Sequence, residues 1–420
     1  MTSEFEQNLE KYAQVVVKVG LNLQPGQRLL IGTPVGGALA PLEAAPFVRL
    51  IAAHAYKAGA RLVDVMWSDD RLQLIRLQHA LRDSLHEYPA WQVTTAVEYA
   101  QQGDAILMIF AHDPDLLNGQ DPELVGMVDQ IAAKNTAPIF DYMARNATNW
   151  LMISVPVPGW SAKVFPNIAP EAQNARLWDT LFEICRVKHA NPVAAWQDHV
   201  NQLAVRSDYL NRKQFTALRF TGPGTDLTIG LPAGHVWRSG RMTNAAGTPF
   251  TVNIPTEEVF TMPHKERTQG VVTATKPLSL GGGLVENFIV TFAGGRVTKF
   301  TAERGEEGIH QLLETDAGAS QLGEVALVPH SSPISQCGLI FYNILIDENA
   351  SSHIALGHAY KFSLDKGETL SDEEFAAAGG NLSSVHLDFM IGSGEMDVDG
   401  LRDDGTPDPV MRGGEWAFKI

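Results

Sequence analysis

The sequence predicts an α/β region followed by a strand-rich α+β region, and three observations lead to this prediction. Helical and strand patterns alternate up to about residue 200, period-two alternation dominates beyond it, and glycine-rich turns separate the later strands. A chain of 420 residues is long enough for two or three domains. We therefore predict an α/β domain over residues 1–200 and an α+β domain over residues 201–420.

In the first region, amphipathic helical segments alternate with short apolar strands. Apolar side chains form one stripe on a helix predicted over residues 5–21, and further helices are predicted over 48–58 and 122–135. A helical stretch over 178–210 connects the two regions. Short apolar strands between helices are typical of a mostly parallel sheet with helices on both faces. These strands are predicted at residues 28–33, 61–67 and 104–111.

In the second region, period-two alternation predicts antiparallel strands. A hairpin is expected over residues 283–301, turning at Gly294-Gly295, and a helix over 305–316. Another glycine turn is expected at residues 281–283. The other strands are predicted at residues 215–221, 225–231, 250–254 and 270–275.

Composition excludes several classes of protein. The 48 acidic residues outnumber the 32 basic ones, which opposes nonspecific binding to nucleic acid. Two distant cysteines, Cys185 and Cys337, are too few for a disulfide framework or a thiolate zinc site. The acidic N-terminus has no signal-peptide pattern, and the longest uncharged apolar run, residues 105–111, is far shorter than the ~20 residues of a membrane span. We therefore expect a cytoplasmic protein.

The first region carries few chemical signals. The turn Gly32-Thr-Pro-Val-Gly-Gly follows a predicted strand, but it matches neither nucleotide-binding glycine motif, so we interpret it as a plain strand-to-helix turn. The histidines there are scattered without the spacing of metal ligands, and no role is assigned to any of them.

Four segments of the second region contain metal-ligand residue types, at residues 253–261, 323–328, 347–360 and 384–392. Glu257 and Glu258 are adjacent in a strand pattern, so only one of them can face a given site. His386 and Asp388 are two positions apart and therefore share one face of a strand. Four carboxylates and two histidines are the inventory of a two-metal hydrolytic site, so the residues alone predict a metal site.

The same segments resemble a known family. Residues 347–360 and 385–392 are the most specific matches, and the resemblance extends from Val19-Gly-Leu-Asn-Leu-Gln-Pro-Gly-Gln to Gly392-Ser-Gly-Glu-Met-Asp-Val-Asp-Gly. The chain is similar to the aminopeptidase T/aminopeptidase S family of metallo-aminopeptidases, also called thermophilic aminopeptidases. This resemblance implies an α/β domain beside a C-terminal metal-binding catalytic domain.

The resemblance also implies roles for individual residues. Tyr360 contacts a metal or the reacting carbonyl, and Glu324 is the candidate for bridging two metal ions. The implied cofactors are two divalent ions (Zn, Co, Mn or Mg), and the implied partners are peptides with a free N-terminus and a second copy of the chain. Neither nucleic acid nor a membrane is expected as a partner. The implied metal ligands are Glu258, Glu324, Glu348, His353, His386 and Asp388.

Several alternatives stay open at this point. The fold and metal site are compatible with another metallohydrolase, such as an amidase or a carboxypeptidase, or with a non-catalytic protein that binds metal or peptide. Glu257 and Asp347 are candidates for binding the substrate amino group; the alternatives for each are a residue that supports the metal ligands and a solvated residue. Trp237, Phe260 and Met262 are candidates both for the specificity pocket and for the core.

Overall fold

The computed structural model describes residues 3–280 and 283–419. Its chain divides into two compact units, one formed by Met1–Val200 and Arg241–Pro255, the other by Asn201–Gly240 and Thr256–Ile420. The first unit contains a parallel sheet with helices, and the second is rich in antiparallel strands, so the predicted fold class is confirmed. Among the described residues, no helix combines the length and the apolar content needed to cross a bilayer.

The longest helices lie before residue 214, and most of the strands lie after it. The helices are α1 (Glu4–Val15), α2 (Ala45–Lys57), α3 (Asp70–His79), α4 (Ala90–Gln101), α5 (Pro122–Ala144), α6 (Pro158–Val164), α7 (Pro170–Ile184), α8 (Pro192–Lys213), α9 (Glu306–Leu313), α10 (Pro333–Cys337), α11 (Ile344–Asp347) and α12 (Asp372–Ala377). The strands up to residue 261 are β1 (Arg28–Ile31), β2 (Ala40–Pro41), β3 (Leu62–Val65), β4 (Trp67–Ser68), β5 (Ala105–Phe110), β6 (Trp150–Ser154), β7 (Ala217–Gly222), β8 (Thr225–Gly230), β9 (Arg238–Ser239), β10 (Arg241–Thr243), β11 (Pro249–Thr251), β12 (Asn253–Ile254) and β13 (Val259–Thr261). The later strands are β14 (Thr268–Thr273), β15 (Leu278–Leu280), β16 (Gly283–Val285), β17 (Ile289–Ala293), β18 (Arg296–Thr301), β19 (Leu322–Leu327), β20 (His353–Gly357), β21 (His386–Met390), β22 (Asp397–Leu401), β23 (Pro407–Arg412) and β24 (Glu415–Trp416).

The first unit is built on a five-stranded sheet of order β12-β6-β5-β1-β3. All of its strand pairs are parallel. The central strands β1 and β5 are apolar and almost completely buried, as expected for strands covered on both faces. The parallel sheet of the first region was therefore predicted correctly.

The segment Arg241–Pro255 differs from its prediction. Period-two alternation indicated an antiparallel strand over residues 250–254. The predicted domain boundary at residue 200 placed this strand in the second domain. In the structure β12 pairs in parallel with β6, with Asn253 opposite Met152, and so completes the first sheet. Alternation identifies a strand but not its partner, because strand pairing depends on packing against segments that are distant in the sequence.

Several local predictions have clear outcomes. Helix α1 continues through a π-helical turn at Val16–Gly20 and thus covers the predicted helix of residues 5–21. The helical stretch predicted over 178–210 consists of two helices, α7 and α8. The predicted turn at Gly294-Gly295 is present, and both glycines have positive φ. The hairpin is shorter than the predicted range of 283–301, because its strands are β17 and β18, and Gly283–Val285 forms β16, which pairs with β15. The turn expected at 281–283 falls mainly outside the described residues.

The second unit contains two large antiparallel sheets, besides the two-stranded pair β15-β16. One has eight strands in the order β18-β17-β14-β8-β7-β22-β23-β24, and the other has five in the order β21-β20-β19-β13-β9. Buried side chains from both sheets belong to one hydrophobic cluster, for example Phe220, Phe292, Val325, Ile354 and Phe389. The five-stranded sheet therefore turns one face toward the core, and its other face is available for a site.

Candidate metal centre

The predicted site residues lie on the face of the five-stranded sheet that points away from the core. On β19, Val325 and Leu327 belong to the hydrophobic cluster, so Glu324 points to the opposite face. On β20, Ile354 points into the core, so by the same alternation the adjacent His353 points to the site face of the sheet. On β21, Phe389 points into the core, and His386 and Asp388 face the site together, as their spacing predicted. Glu258 immediately precedes β13, whose Val259 is in the core.

Two carboxylates lie between the two histidines. Glu324 has Oε1 at 3.7 Å from Nε2 of His353 and Oε2 at 3.7 Å from Nε2 of His386. Asp388 is arranged in the same way, with Oδ1 at 3.9 Å from His353 and Oδ2 at 3.4 Å from His386. Glu258 completes the group beside His353, with Oε2 at 3.1 Å from Nε2. Each of the two shared carboxylates thus turns one oxygen toward each imidazole.

Backbone carbonyls orient both imidazoles. Nδ1 of His353 donates to the carbonyl of Ser351 at 3.1 Å, and Nδ1 of His386 donates to the carbonyl of His358 at 2.8 Å. Both rings therefore direct Nε2 toward the carboxylates. Such a hydrogen bond on the far nitrogen is the usual way in which a metal-binding histidine is held in the correct tautomer.

Glu348 approaches from a different element, the short 3₁₀ turn Glu348–Ala350 that follows α11. The neighbouring Asn349 is completely buried and ties this turn to the segment before β13. Its Oδ1 accepts a hydrogen bond from the backbone N–H of Glu257 at 2.8 Å, and its Nδ2 lies 3.4 Å from Oε1 of Glu348. Glu348 interacts electrostatically with Glu258 and Asp388, so it belongs to the same group of charges.

The crowding of charge in a buried place perturbs the titration of the cluster. Burial and then repulsion by Asp388 and Glu258 raise the pKa of Glu324 to about 7, against the opposing effect of His353. Burial and the neighbouring carboxylates raise the pKa of Glu348 well above its usual value. Burial alone lowers the pKa of a histidine, but Asp388 and Glu324 outweigh it and raise the pKa of His386 to about 10. Without bound cations, protons on these groups offset the repulsion between the carboxylates.

The residues present fit divalent cations. Oε2 of Glu258 and Oδ1 of Asp388 are both buried and face Nε2 of His353 at 3.1 and 3.9 Å, but among the described residues neither oxygen accepts a well-directed hydrogen bond. Unpartnered buried carboxylate oxygens are costly unless an ion or a proton satisfies them. One ligand atom each from Glu258, Glu324 and His353 lies within 4.8 Å of the others, a spacing that a single ion can span. Carboxylate oxygens and imidazole nitrogens are the donors that zinc, cobalt and manganese accept.

Tyr360 stands at the edge of this cluster. Its ring centroid lies 5.1 Å from that of His386, and burial followed by repulsion from Glu324 and Asp388 raises the pKa of its hydroxyl well above the usual value. The phenol is consequently a proton-bearing hydrogen-bond donor at neutral pH. This is the chemical form required of a group that stabilises a developing oxyanion.

The remaining candidates have other surroundings. The carboxylate of Asp347 accepts hydrogen bonds from the backbone N–H groups of Phe341 and Asn343, at 2.7 and 3.0 Å, and so orders the loop before Glu348. Glu257 is buried and interacts electrostatically with Arg206. Trp237 and Met262 are core residues of two separate clusters. Sequence reasoning missed Asn349 and the carbonyl of His358, because neither residue type nor spacing signals a hydrogen bond to a distant segment.

The fold and the cluster define a metal-dependent hydrolase, and comparisons with known proteins agree. A family described as "Thermophilic metalloprotease (M29)" matches residues 5–416. Aminopeptidase 2 of Geobacillus stearothermophilus is 45% identical over 418 residues, which cover 100% of both chains. Aminopeptidase T of Thermus thermophilus is 45% identical over 413 residues, covering 98% of this chain and 99% of that protein. The structure titled "Wild-type AmpT from Thermus thermophilus" superposes with a TM-score of 0.92 at 44% identity, covering 99% of this chain and 100% of the other.

The chain belongs to the thermophilic metalloprotease family M29. The resemblance inferred from its motifs is thereby confirmed, as is the predicted class, a metal-dependent aminopeptidase. The relatives match over the full length of the chain, so the family assignment covers both units rather than one of them.

Proposed function

We propose that this protein releases N-terminal amino acids from peptides with two divalent cations bound by Glu258, Glu324, Glu348, His353, His386 and Asp388. One observation carries the proposal: Glu324 and Asp388 each direct one oxygen toward each histidine. A carboxylate placed between two imidazoles in this way is suited to serve two neighbouring ions. Glu324 is the candidate for the bridging ligand.

Divalent ions held by these six residues would supply a water of lowered pKa as the nucleophile and would polarise the substrate carbonyl. The protein contributes the remaining parts of the reaction. His353 and His386 keep Nε2 directed into the cluster, because their Nδ1 atoms are bound to backbone carbonyls. Tyr360 donates a hydrogen bond to the oxygen on which negative charge develops. The proton lost by the nucleophile passes to a carboxylate of the cluster.

Selectivity for the N-terminus follows from recognition of the free α-amino group. The four ligand carboxylates are balanced by two divalent cations, so this amino group would be bound by one of the cations or by a carboxylate outside the ligand set, for which Glu257 and Asp347 are the candidates. An acetylated N-terminus has no free amino group and is not held in place. This difference separates an aminopeptidase from an amidase or a carboxypeptidase built on the same fold.

The deciding experiment uses metal-stripped protein and a panel of aminoacyl p-nitroanilides, assayed with and without added Co²⁺ or Zn²⁺. Metal-dependent release from free-amine substrates, and none from N-acetylated ones, is the expected result. Glu324→Ala and His353→Ala are expected to lose turnover while the circular dichroism spectrum is kept. Full activity after exhaustive chelation, or more than a tenth of wild-type activity in either variant, contradicts the proposal.

The metal count and identity are tested separately. We expect two exchangeable ions per chain in inductively coupled plasma mass spectrometry, drawn from Zn, Co, Mn and Mg, since mixed oxygen and nitrogen donors accept all four. One tightly held ion with no turnover instead favours a structural site in a peptide-binding protein.

The homodimer and the cytoplasmic location also remain proposals. The first is supported by exposed apolar side chains on and after α3, where Leu72, Ile75, Leu81 and Trp91 are each at least half exposed. Large exposed apolar side chains concentrated in one stretch of the chain are a feature of protein–protein contacts. The location is tested by cell fractionation with an antibody against the protein.

A further inference from the structure

Three aromatic rings pack beside the cluster of proposed metal ligands, with Phe260 buried and Tyr360 and Phe362 partly exposed. Phe260 lies two positions after Glu258 along β13 and shares its face of the sheet. Its ring meets that of Phe362 edge to face, with centroids 6.2 Å apart and planes at 78°. Phe362 in turn stacks on Tyr360 at 5.1 Å, with planes inclined by only 7°. We call Phe260, Phe362 and Tyr360 the aromatic wall.

The wall ends at the reactive groups. The ring of Tyr360 lies 5.1 Å from that of His386, and its hydroxyl interacts electrostatically with Glu324, Asp388, Glu348 and Glu258. The ring of Tyr360 stacks on that of Phe362, so a substrate carbonyl that accepts a hydrogen bond from the Tyr360 hydroxyl lies close to the ring of Phe362. Apolar surface and charged cluster are thus continuous.

Arg238 holds the wall in position from the same sheet face. It is the cross-strand partner of Phe260 in the β9–β13 pair, and its guanidinium donates through Nε and Nη2 to the carbonyl of Phe362, at 2.8 and 2.6 Å. Two donors on one carbonyl fix the 3₁₀ turn Lys361–Ser363. Phe362 is nevertheless only half buried, whereas its neighbour Leu364 is packed in the core. The turn thus presents an aromatic ring where a substrate has access.

We propose that the aromatic wall binds the side chain of the substrate's N-terminal residue, so that large apolar residues are released faster than alanine or glycine. This inference rests on the aminopeptidase function proposed above. The α-amino group, the scissile carbonyl and the side chain are all attached to one Cα. The cluster and Tyr360 bind the first two groups, so the side chain meets the nearest apolar surface. The second residue of the substrate has no free amino group, so the cluster does not fix the position of its side chain.

The test compares the p-nitroanilides of phenylalanine, leucine and alanine in the same metal. These substrates differ only in the N-terminal side chain, so the ratio of their kcat/KM values reports on that side chain alone. Wild-type enzyme is expected to prefer phenylalanine and leucine over alanine by about tenfold or more. Phe362→Ala is expected to reduce this preference about tenfold, and Phe362→Leu, which keeps apolar surface, to reduce it less.

Phe418→Ala is the matched control. Phe418 is also half buried and stacked on a tyrosine of the same unit, Tyr209, at 3.9 Å with planes inclined by 12°. Removal of its ring tests for general effects of losing a stacked phenylalanine. We expect the phenylalanine-to-alanine ratio of this variant to equal that of the wild type.

Two results overturn the proposal. One is an unchanged phenylalanine-to-alanine ratio in Phe362→Ala, with rates lowered equally for all substrates, which means that the ring only supports the fold. If the alanine variant does not fold, the same result in Phe362→Leu has the same meaning. The other is a Phe362 effect that appears only when the second residue of alanyl dipeptides is varied, which assigns the wall to the leaving group. Failure of the aminopeptidase function itself looks different: wild-type enzyme then releases no p-nitroaniline from any substrate in a metal-dependent way.

Discussion

The side-chain oxygen of Asn349 accepts a hydrogen bond at 2.8 Å from the backbone N–H of Glu257, a residue 92 positions earlier in the chain. This bond joins the strand end that carries Glu258 to the turn that carries Glu348. The amide nitrogen of Asn349 also lies 3.4 Å from Oε1 of Glu348 and 3.3 Å from the carbonyl of Leu345. Asn349 therefore sets the distance between two proposed ligands without being one itself.

Replacement of Asn349 by alanine is expected to weaken metal binding. The two ligand-bearing segments lose their connection, and loss of a comparable supporting hydrogen bond typically lowers metal affinity about 10- to 100-fold. Affinity is measured by competition with a chelating dye. Asn211→Ala is the control, because Asn211 likewise bridges a distant backbone segment, at Trp237, but lies outside the cluster. Equal affinities of the two variants contradict the positioning role.

Metal binding is expected to release protons and to weaken as the pH falls. In the metal-free protein the pKa of His386 is raised to about 10 and that of Glu324 to about 7, so at neutral pH both carry protons fully or in part. A ligand must lose its proton to bind a cation. Titration calorimetry in buffers of different ionisation enthalpy measures the number of protons released. A proton count of zero at neutral pH contradicts this prediction.

Tyr360→Phe is expected to reduce kcat about 100-fold or more and to leave metal affinity nearly unchanged. The substitution removes only the hydroxyl and keeps the ring that stacks on Phe362. The phenylalanine-to-alanine preference is therefore expected to persist at the lower rate. Kinetics with the same p-nitroanilides measure both quantities. A large loss of metal instead of kcat identifies Tyr360 as a ligand rather than an oxyanion donor.

The dimer proposal predicts that charges on α3 separate the subunits. None of the ten described residues of α3 is buried, and Leu72 and Ile75 expose their apolar side chains. A double variant, Leu72→Lys with Ile75→Lys, is expected to elute as a 45.7 kDa monomer in light scattering, whereas the wild type has twice this mass. Ile289→Lys is the control, since this exposed residue lies in the second unit. A monomeric wild type contradicts the dimer, and a dimeric double variant excludes this surface.

The sequence predicts those parts of the site that depend on local alternation. The i, i+2 spacing of His386 and Asp388 predicted a shared face, because successive strand residues point to opposite sides. The same rule left Glu257 and Glu258 as alternatives, and the core position of Val259 is consistent with Glu258 facing the cluster. Partners across long distances were not predictable. Two contacts join segments about 90 or more positions apart: the pairing of β12 with β6 and the hydrogen bond from Glu257 to Asn349. The local sequence of one segment does not indicate which distant segment it contacts.

Asp316 supplies a prediction about stability. Its carboxylate accepts hydrogen bonds from the backbone N–H and the hydroxyl of Ser384, both at 2.7 Å, and from the hydroxyl of Ser383 at 2.9 Å. Partial burial works in the opposite direction, but these bonds and one from the backbone of Gly318 outweigh it and lower the pKa of Asp316 to about 2. The carboxylate therefore holds the chain that enters β21, two residues before His386.

Asp316→Ala is expected to lower the free energy of unfolding by about 2 kcal/mol at neutral pH, because several donors lose their acceptor. A carboxyl whose pKa is lower in the folded protein stabilises it above the ordinary value of 3.8, and this contribution is lost as the pH falls toward 2. The difference between wild type and variant in urea titrations should accordingly be constant near neutral pH and shrink in acid. Asp404→Ala, which removes an exposed turn carboxylate bound to the N–H of Thr406, should have a much smaller effect. If the two variants are equally stable, or if the Asp316 difference does not change in acid, the carboxylate does not hold this segment.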